Sequence, residues 1–331
     1  MADAFQESLL RLLADNRFHS GAELAAELGV SRTSVWKSVR GLEALGLEVA
    51  ALPGKGYRVV SPLELLDEAA IRADLNPEAE PLVSSLTIHG RLESTNTHLM
   101  NAAAQGAPAG AVCLAETQTA GRGRIGRDWV SPFGANIYLS LLWRFEDPSR
   151  IGGLSLAVGV GAIRALASQG IGEVGLKWPN DLLLGERKLG GILIEVAGEA
   201  HGRCAVVIGL GLNRYIPPAL GRSIGQPWAD FSEARARPPR NRLIAALLNE
   251  LLPLLGNYAE QGLEPYLPEW RRHHRLQGRE ATIHLGESRI RGRIEDITAA
   301  GLLVLRCEDG RRREFASGDV RLRAEGDGVH G

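Results

Sequence analysis

The sequence predicts an α+β protein of three units: an N-terminal winged helix-turn-helix, a central mixed sheet and a small C-terminal β-barrel. Three observations carry this. Helical periodicity with cap signals, closed by a basic hairpin, fills residues 4–60. Strands and helices alternate from there to about Arg271, and short strands broken by turn pairs follow Gly278. The expected boundaries are 1–62, 63–270 and 271–331.

Phe5, Leu9, Leu10, Leu12 and Leu13 form the apolar side of a first helix. Ser20-Gly21-Ala22-Glu23 is a capping box opening a second, Leu24–Leu28, which stops at Gly29. Ser31 caps a third, with Val35, Val39, Leu42 and Leu45 at helical spacing. Leu47-Glu48-Val49 and Tyr57-Arg58-Val59 read as strands around Pro53-Gly54-Lys55-Gly56. That order is a winged helix-turn-helix. Basic residues concentrate in its third helix and hairpin, so Arg32, Thr33, Ser34, Lys37, Arg40 and Lys55 are the expected DNA contacts. A three-helix interaction module is the alternative.

A linker is expected at Ser61-Pro62, then a helical segment Leu63–Leu75 and a Pro-rich stretch near Asn76–Pro81. Strands are expected at Leu86–His89, Ala111–Ala115, Ile137–Leu142, Val174–Lys177, Gly191–Val196 and Ala205–Leu210, with helices at Thr95–Ala104, Leu154–Ser168 and Arg240–Gln261. Hairpin-like pairing favours a mixed sheet over a doubly wound one. The C-terminal strands are Thr282–Leu285, Arg289–Ile294, Leu302–Arg306, Arg313–Ala316 and Val320–Arg323, separated by Gly286-Glu287, Ala300-Gly301 and Asp309-Gly310.

Composition narrows the function classes. A formal charge of -1 on 331 residues excludes a globally basic nucleic-acid coat, and 44% hydrophobic content supports real cores. Three cysteines, Cys113, Cys204 and Cys307, without a C-x-x-C argue for a reducing compartment and against disulfides or structural zinc. Apolar stretches are too short to span a bilayer, and the start carries no signal pattern, so a cytoplasmic protein with no membrane partner is expected. The only lysines are Lys37, Lys55, Lys177 and Lys188; the last two flank one motif.

The chemistry concentrates between Glu116 and Ser140, where Arg122, Arg124 and Arg127 alternate with Gly121, Gly123 and Gly126 ahead of Trp129. Glycines let the backbone approach a ligand, and guanidiniums grip carboxylate or phosphate oxygens. The loop is therefore expected to close over a small anion. The three glycines match G-x-G-x-x-G, but polar Thr117-Gln118-Thr119 precedes them and helix-breaking Ser131-Pro132-Phe133-Gly134 follows, so the dinucleotide reading fails on context. Glu93-Ser94-Thr95-Asn96 opens a helix, with Ser94 a possible N-cap. Lys177-Trp178-Pro179-Asn180-Asp181, Lys188-Leu189-Gly190-Gly191 and Gly209-Leu210-Gly211-Leu212-Asn213 add cations, amides and bare backbone against which a ring could lie. No metal cage and no Ser-His-Asp or Cys-His set is evident.

Taken in order, ESTN, GRGRIGRDW, SPFGANIYLS, KWPND, KLGGIL and IGLGLN resemble the biotin–protein ligases, and the winged helix with its PGKGY wing resembles the bifunctional members that also repress the biotin operon. The likeness covers nearly the whole chain; Gly190 stands where alanine is common and Ile125 where the family varies. The resemblance implies a central domain similar to class II aminoacyl-tRNA synthetases and an SH3-like barrel. It implies that biotin and ATP with Mg2+ form biotinyl-5′-AMP, which a lysine of the biotin carboxyl carrier protein of acetyl-CoA carboxylase then attacks. Attack of one anion on another calls for charge neutralisation, hence Arg and Lys rather than a triad.

By the same resemblance, Ser94, Thr95, Asn96 and Gln118 bind the biotin ureido ring, and Gly121, Arg122, Gly123 and Arg124 close over it with Gly191, Gly209 and Gly211 alongside. Lys188 bridges carboxylate and α-phosphate, while Arg127 and Lys177 handle phosphate charge. Asn180 and Asn213 face the nucleotide, Trp228 covers adenine, and Asp181 receives the acceptor lysine. The catalytic set is Lys188, Arg122, Arg124 and Asp181. Biotinyl-5′-AMP as corepressor, a ligand-promoted homodimer and operator DNA complete the implied partners. Two other readings stay open: a metabolite-sensing transcription factor without ligase activity, and a lipoate-type acyl ligase on the same fold.

Overall fold

The computed structural model describes residues 2–43, 45–60, 63–198, 202–285, 288–316 and 320–324. The N-terminal unit is α1 (Ala2–Leu13), α2 (Gly21–Glu27), α3 (Arg32–Glu43) and a hairpin of β1 (Val49–Leu52) with β2 (Gly56–Val59). The capping box forms in both directions: Ser20 Oγ accepts from Glu23 N at 3.1 Å and Glu23 accepts from Ser20 N at 2.9 Å. Such a cap contributes about 1 kcal/mol. Ser31 Oγ likewise accepts from Ser34 N at 3.1 Å. The first wing strand starts at Val49 rather than Leu47, because the Leu47 amide returns to Leu42 O and its side chain enters the core.

The stretch expected to be helical from Leu63 to Leu75 is helical only in α4 (Glu68–Ala73), with Asp67 as N-cap. Ahead of it, side chains bind the backbone amides: Leu66 N donates to Glu116 Oε1 at 2.6 Å and Asp67 N to Asn241 Oδ1 at 2.9 Å. Glu116 also meets Arg240, which is fully buried, at 2.6 Å. That pair works as a structural rivet, since removing either partner would strand the other's charge. The linker expected at Ser61-Pro62 and the turn at Gly286-Glu287 lie outside the described residues.

The central sheet uses β3 (Ser85–His89), β4 (Ala111–Ala115), β5 (Ile137–Phe145), β6 (Val174–Lys177), β7 (Asp181–Leu184), β8 (Arg187–Gly198) and β9 (Cys204–Leu212). Helices α5 (Thr95–Ala104), α6 (Leu154–Ser168), α7 (Pro218–Gly221), α8 (Arg240–Gln261) and α9 (Leu267–His273) connect and cover it. The strand order is β3-β4-β5-β9-β8-β7-β6, parallel only between β3 and β4, which is the mixed sheet expected. β7 is an additional strand, turned back from β6 by Trp178-Pro179-Asn180.

Period-2 alternation divides the sheet's faces. Leu139, Leu141, Ile192, Ile208 and Leu210 join the large core that includes α6 and α8. The opposite face receives Cys113, Leu142, Ala205 and Val207 under the ten-residue α5. One short helix leaves part of that face bare, and the arginine loop extends over it.

Strands β10 (Glu280–Leu285), β11 (Ser288–Ile297), β12 (Leu303–Cys307), β13 (Arg312–Phe315) and β14 (Val320–Ala324) form a small antiparallel sheet in the order β13-β12-β11-β10-β14. It joins the main core through Ala281, Ile283, Ile294 and Leu303, and Trp178 Nε1 donates to Gly301 O at 3.1 Å. The tryptophan of the Lys177–Asp181 motif is thus a joint between units. The winged unit meets the center through Leu63 and Phe133, which enter its core. No helix among the described residues is long and apolar enough to cross a membrane.

Candidate functional site

The floor of the bare face is a closed hydrogen-bond network. Ser94 caps α5, and Ser94, Thr95 and Asn96 are all buried. Thr95 N and Oγ1 donate to Gln118 Oε1 at 2.8 and 3.1 Å. The buried Ser140 Oγ, from β5, lies 2.7 Å from Thr95 Oγ1 and 2.6 Å from Asn96 Oδ1. Asn96 Nδ2 donates to Glu195 Oε2 at 2.8 Å and Leu193 O at 3.3 Å. Gly209 is required here: a Cβ would stand 2.3 Å from Asn96 Oδ1.

The arginine loop straddles the pocket mouth. Trp129 N donates to Gly121 O at 2.9 Å and Gly123 N to Arg127 O at 2.7 Å, closing the loop on itself. Arg122 Nη2 reaches Thr97 Oγ1 and Glu195 Oε1, both at 3.0 Å. Arg124 Nη1 reaches Asn180 Oδ1 on the opposite wall at 3.2 Å. Ile125 holds φ 56 and is exposed, an uncommon conformation for a β-branched residue. The Trp129 indole lies against the glycine backbone, where a Cβ on Gly211 would stand 2.7 Å from it. Its Nε1 is buried with no hydrogen-bond partner. A buried unpaired donor costs about 1–3 kcal/mol.

At the other end, Lys188 Nζ meets Asp181 Oδ1 at 2.7 Å and lies 5.7 Å from the Trp129 ring centroid, with Gly191 beneath it. Lys177 is paired in register with Asp181 across the β6–β7 hairpin. Asn180 Nδ2 donates to Ile192 O at 2.7 Å, so its oxygen faces Arg124 while its amine anchors β8. Asn213 Nδ2 lies 3.4 Å from Lys188 O and 3.2 Å from Ala229 O. Trp228 is tied beside Lys188, through Lys188 N to Pro227 O at 3.1 Å and Ala229 N to Lys188 O at 2.9 Å, and its own Nε1 donates to Gly221 O at 3.0 Å. Arg127 lies outside this cluster, 3.4 Å from Gln226 Oε1, linking the arginine loop to the Trp228 loop.

Most expected small-molecule residues fall in this band between α5, the loop and the β6–β8 turn; Lys177 joins it through its backbone register, and the Trp228 ring packs on Gly221. Ser140, Glu195 and Trp129 belong to it as well and were not anticipated. An open cleft of about 570 Å³ lies elsewhere, lined by Glu173, Glu186, Arg187, Glu233, Arg275 and Arg279. Its charges pair among themselves, as in Arg279–Glu186 at 2.8 Å, and it holds none of the motif residues.

On the winged unit, Arg32, Thr33, Lys37 and Arg40 are exposed along α3, and Lys55 is exposed at the wing tip. Ser34 differs: its hydroxyl lies 2.9 Å from that of the capping Ser31, so it completes the helix start. Trp36, not anticipated, is 47% exposed with the Arg40 guanidinium 5.1 Å over its ring.

Residues 89–213 match the biotin/lipoate A/B protein ligase family, residues 6–58 an HTH domain, and residues 278–323 the biotin protein ligase C-terminal domain. The bifunctional ligase/repressor BirA of Salmonella typhimurium is 37% identical over 318 residues, 96% of this chain and 97% of that protein. Its counterpart in Escherichia coli is 37% identical over 96% of each chain. A structure of biotin protein ligase from Aquifex aeolicus in complex with biotin and ATP shares the fold, with a TM-score of 0.62 at 24% identity over 73% of this chain and 100% of that one. The chain belongs to the biotin protein ligase family, in its bifunctional ligase/repressor branch.

Proposed function

We propose that this chain joins biotin to ATP, giving biotinyl-5′-AMP and pyrophosphate, and passes biotin to a lysine of a biotin carboxyl carrier protein. The observation that carries the reading is the Lys188–Asp181 pair at 2.7 Å beneath the Arg122–Arg124 loop. Biotin's ureido group takes the floor network of Ser94, Thr95, Asn96 and Gln118, and the Trp129 Nε1 donor finds its acceptor on bound ligand. As the carboxylate oxygen attacks the α-phosphorus and the bond to pyrophosphate breaks, Lys188 leaves Asp181 for the gathering negative charge. Mg2+ bound with ATP would supply part of the charge neutralisation, and Lys177 and Arg127 help neutralise the phosphates. The freed Asp181 carboxylate then receives the acceptor lysine, whose amine attacks the mixed anhydride and expels AMP.

The Arg122 and Arg124 contacts hold the loop shut, so the adenylate stays protected from water and stray amines. Asn180 and Asn213 act on the nucleotide through the strands they fasten, and Trp228 covers the adenine. The α3 face and Lys55 read operator DNA, as a basic recognition helix and wing do. Biotinyl-5′-AMP orders the 121–127 and Trp228 loops and so promotes a cytoplasmic homodimer able to span two half-sites. The units correspond to residues 1–62, 63–270 and 271–331.

Biotin-dependent exchange between ATP and pyrophosphate, followed by labelling of a carrier-protein lysine, is the expected result. Exchange driven equally by lipoate would replace the biotin reading with an acyl ligase. Operator binding without any exchange would make the chain a sensor. An unchanged dimerisation constant in sedimentation with and without adenylate would remove the homodimer from the account.

A further inference from the structure

Beside the pocket, on the same face of the sheet, three side chains converge with no part in the reaction. β3 and β4 are parallel with Thr87 opposite Cys113 and His89 opposite Ala115. Alternation therefore puts His89 and Cys113 on the face that α5 covers. His98, one turn into α5, lies over His89 with ring centroids 4.6 Å apart. One ligand atom from each of His89, His98 and Cys113 lies within 4.8 Å of the others. His89 Nε2 is buried without any hydrogen-bond partner, and Cys113 is fully buried. A buried ring nitrogen left unpaired costs about 1–3 kcal/mol, which a purely packing role gives no reason to retain.

We propose that His89, His98 and Cys113 form a binding site for a thiolate-seeking metal ion of the zinc class, which pins the start of α5 to β3 and β4. Two imidazoles and a thiolate are the donors that select zinc-like ions over hard cations such as Mg2+. On binding, the Cys113 thiol gives up its proton to solvent as the sulfur–metal bond forms. Small rotamer shifts bring the donors to bonding distance, and water completes the coordination. Because α5 begins with Thr95 and Asn96, the ion would brace the turn that forms the pocket floor.

The test uses the full chain, freed of metal by a chelator and titrated with Co2+ and then Zn2+. One equivalent of Co2+ should produce a sulfur-to-cobalt charge-transfer band that Zn2+ bleaches, and Zn2+ should raise the melting temperature. Cys113→Ser should abolish the band, while Cys204→Ser and Cys307→Ser keep it. Should Cys113→Ser fail to fold, His98→Ala, on the partly exposed side of α5, decides the matter. It should weaken Co2+ binding by at least the tenfold or so that loss of even an outer-shell partner brings. Absence of the band in the wild-type chain, or its survival unchanged in His98→Ala, would overturn the proposal.

Discussion

At the pocket floor, buried Thr95, Asn96 and Ser140 and half-buried Gln118 bond one another, every link between 2.6 and 3.1 Å. At the cationic end, Lys188 gives its charge to Asp181, and Arg124 and Arg127 rest on neutral amide oxygens. Both ends are polar, yet the floor is arranged before a ligand arrives and the cationic end must change partners to act. Preorganised donors suit a neutral ureido ring, whose recognition is wanted unchanged through the reaction. Exchangeable cations suit charge that appears only as the phosphorus is attacked. The difference shows why one family motif reads as a rigid helix start and another as paired charges on strands.

The largest expected effect breaks the cationic end. Lys188→Arg keeps the charge but replaces a compact ammonium with a planar fork. Single-turnover adenylation at saturating biotin and ATP should fall about 10²–10³-fold, the usual scale for loss of one electrostatic donor. A rate within a few-fold of wild type would remove Lys188 from the charge-handling step.

Burial without ligand chemistry gives the next scale. His274 is buried against Trp270, and desolvation lowers its pKa to about 4 from an ordinary 6.5. The unfolded chain therefore takes up this proton first as pH falls. Its contribution to stability is complete above pH 6.5, declines between 6.5 and 4, and is flat below, a loss of about 3 kcal/mol. Denaturant melts of wild type and His274→Phe across that window should diverge by this slope; parallel curves would contradict it.

Ser140→Ala tests the floor. It removes the hydroxyl that bonds Thr95 and Asn96, a cost of about 1–3 kcal/mol. The biotin KM should rise with kcat nearly unchanged, the pattern of uniform binding. A fall in kcat at unaltered KM would erase the distinction between the two ends. Smallest of all, Glu195→Gln keeps an acceptor for Asn96 and loses only a half-exposed ion pair with Arg122, so biotin KM should move by less than about fivefold.

How much of this was legible depends on how local each signal is. The 121–127 loop, the α5 cap and the β6–β8 cations could be read because glycine, arginine and capping residues act within a few positions of themselves. The start of α5 likewise follows from its Ser94 cap, whereas α6 and α8 begin after Gly153 and Pro239 without a side-chain cap. Ser140 and Glu195 could not be read: each acts only through the register that sets β5 and β8 beneath α5. Trp129 was visible only as the end of a loop, since nothing local places its ring on Gly211. Leu63–Leu75 carried a helical pattern, but Glu116 and Asn241 take its amides from far along the chain. The absence of C-x-x-C argues against structural zinc, and that rule is blind to side chains such as His89, His98 and Cys113, which a parallel strand pair and a crossover helix bring together.

The half-reactions of Asp181→Asn test the exchange of partners most directly. Once Lys188 has moved to the ligand, the Asp181 charge is free to receive the acceptor lysine. Adenylate formation by the variant in a single turnover should therefore stay within a few-fold of wild type, while transfer from preformed biotinyl-5′-AMP to the carrier lysine drops by about 10²-fold or more, the scale of a lost positioning or proton-accepting group. Equal losses in both half-reactions would mean that Asp181 merely holds Lys188 in place, and the two ends of the pocket would then be built alike.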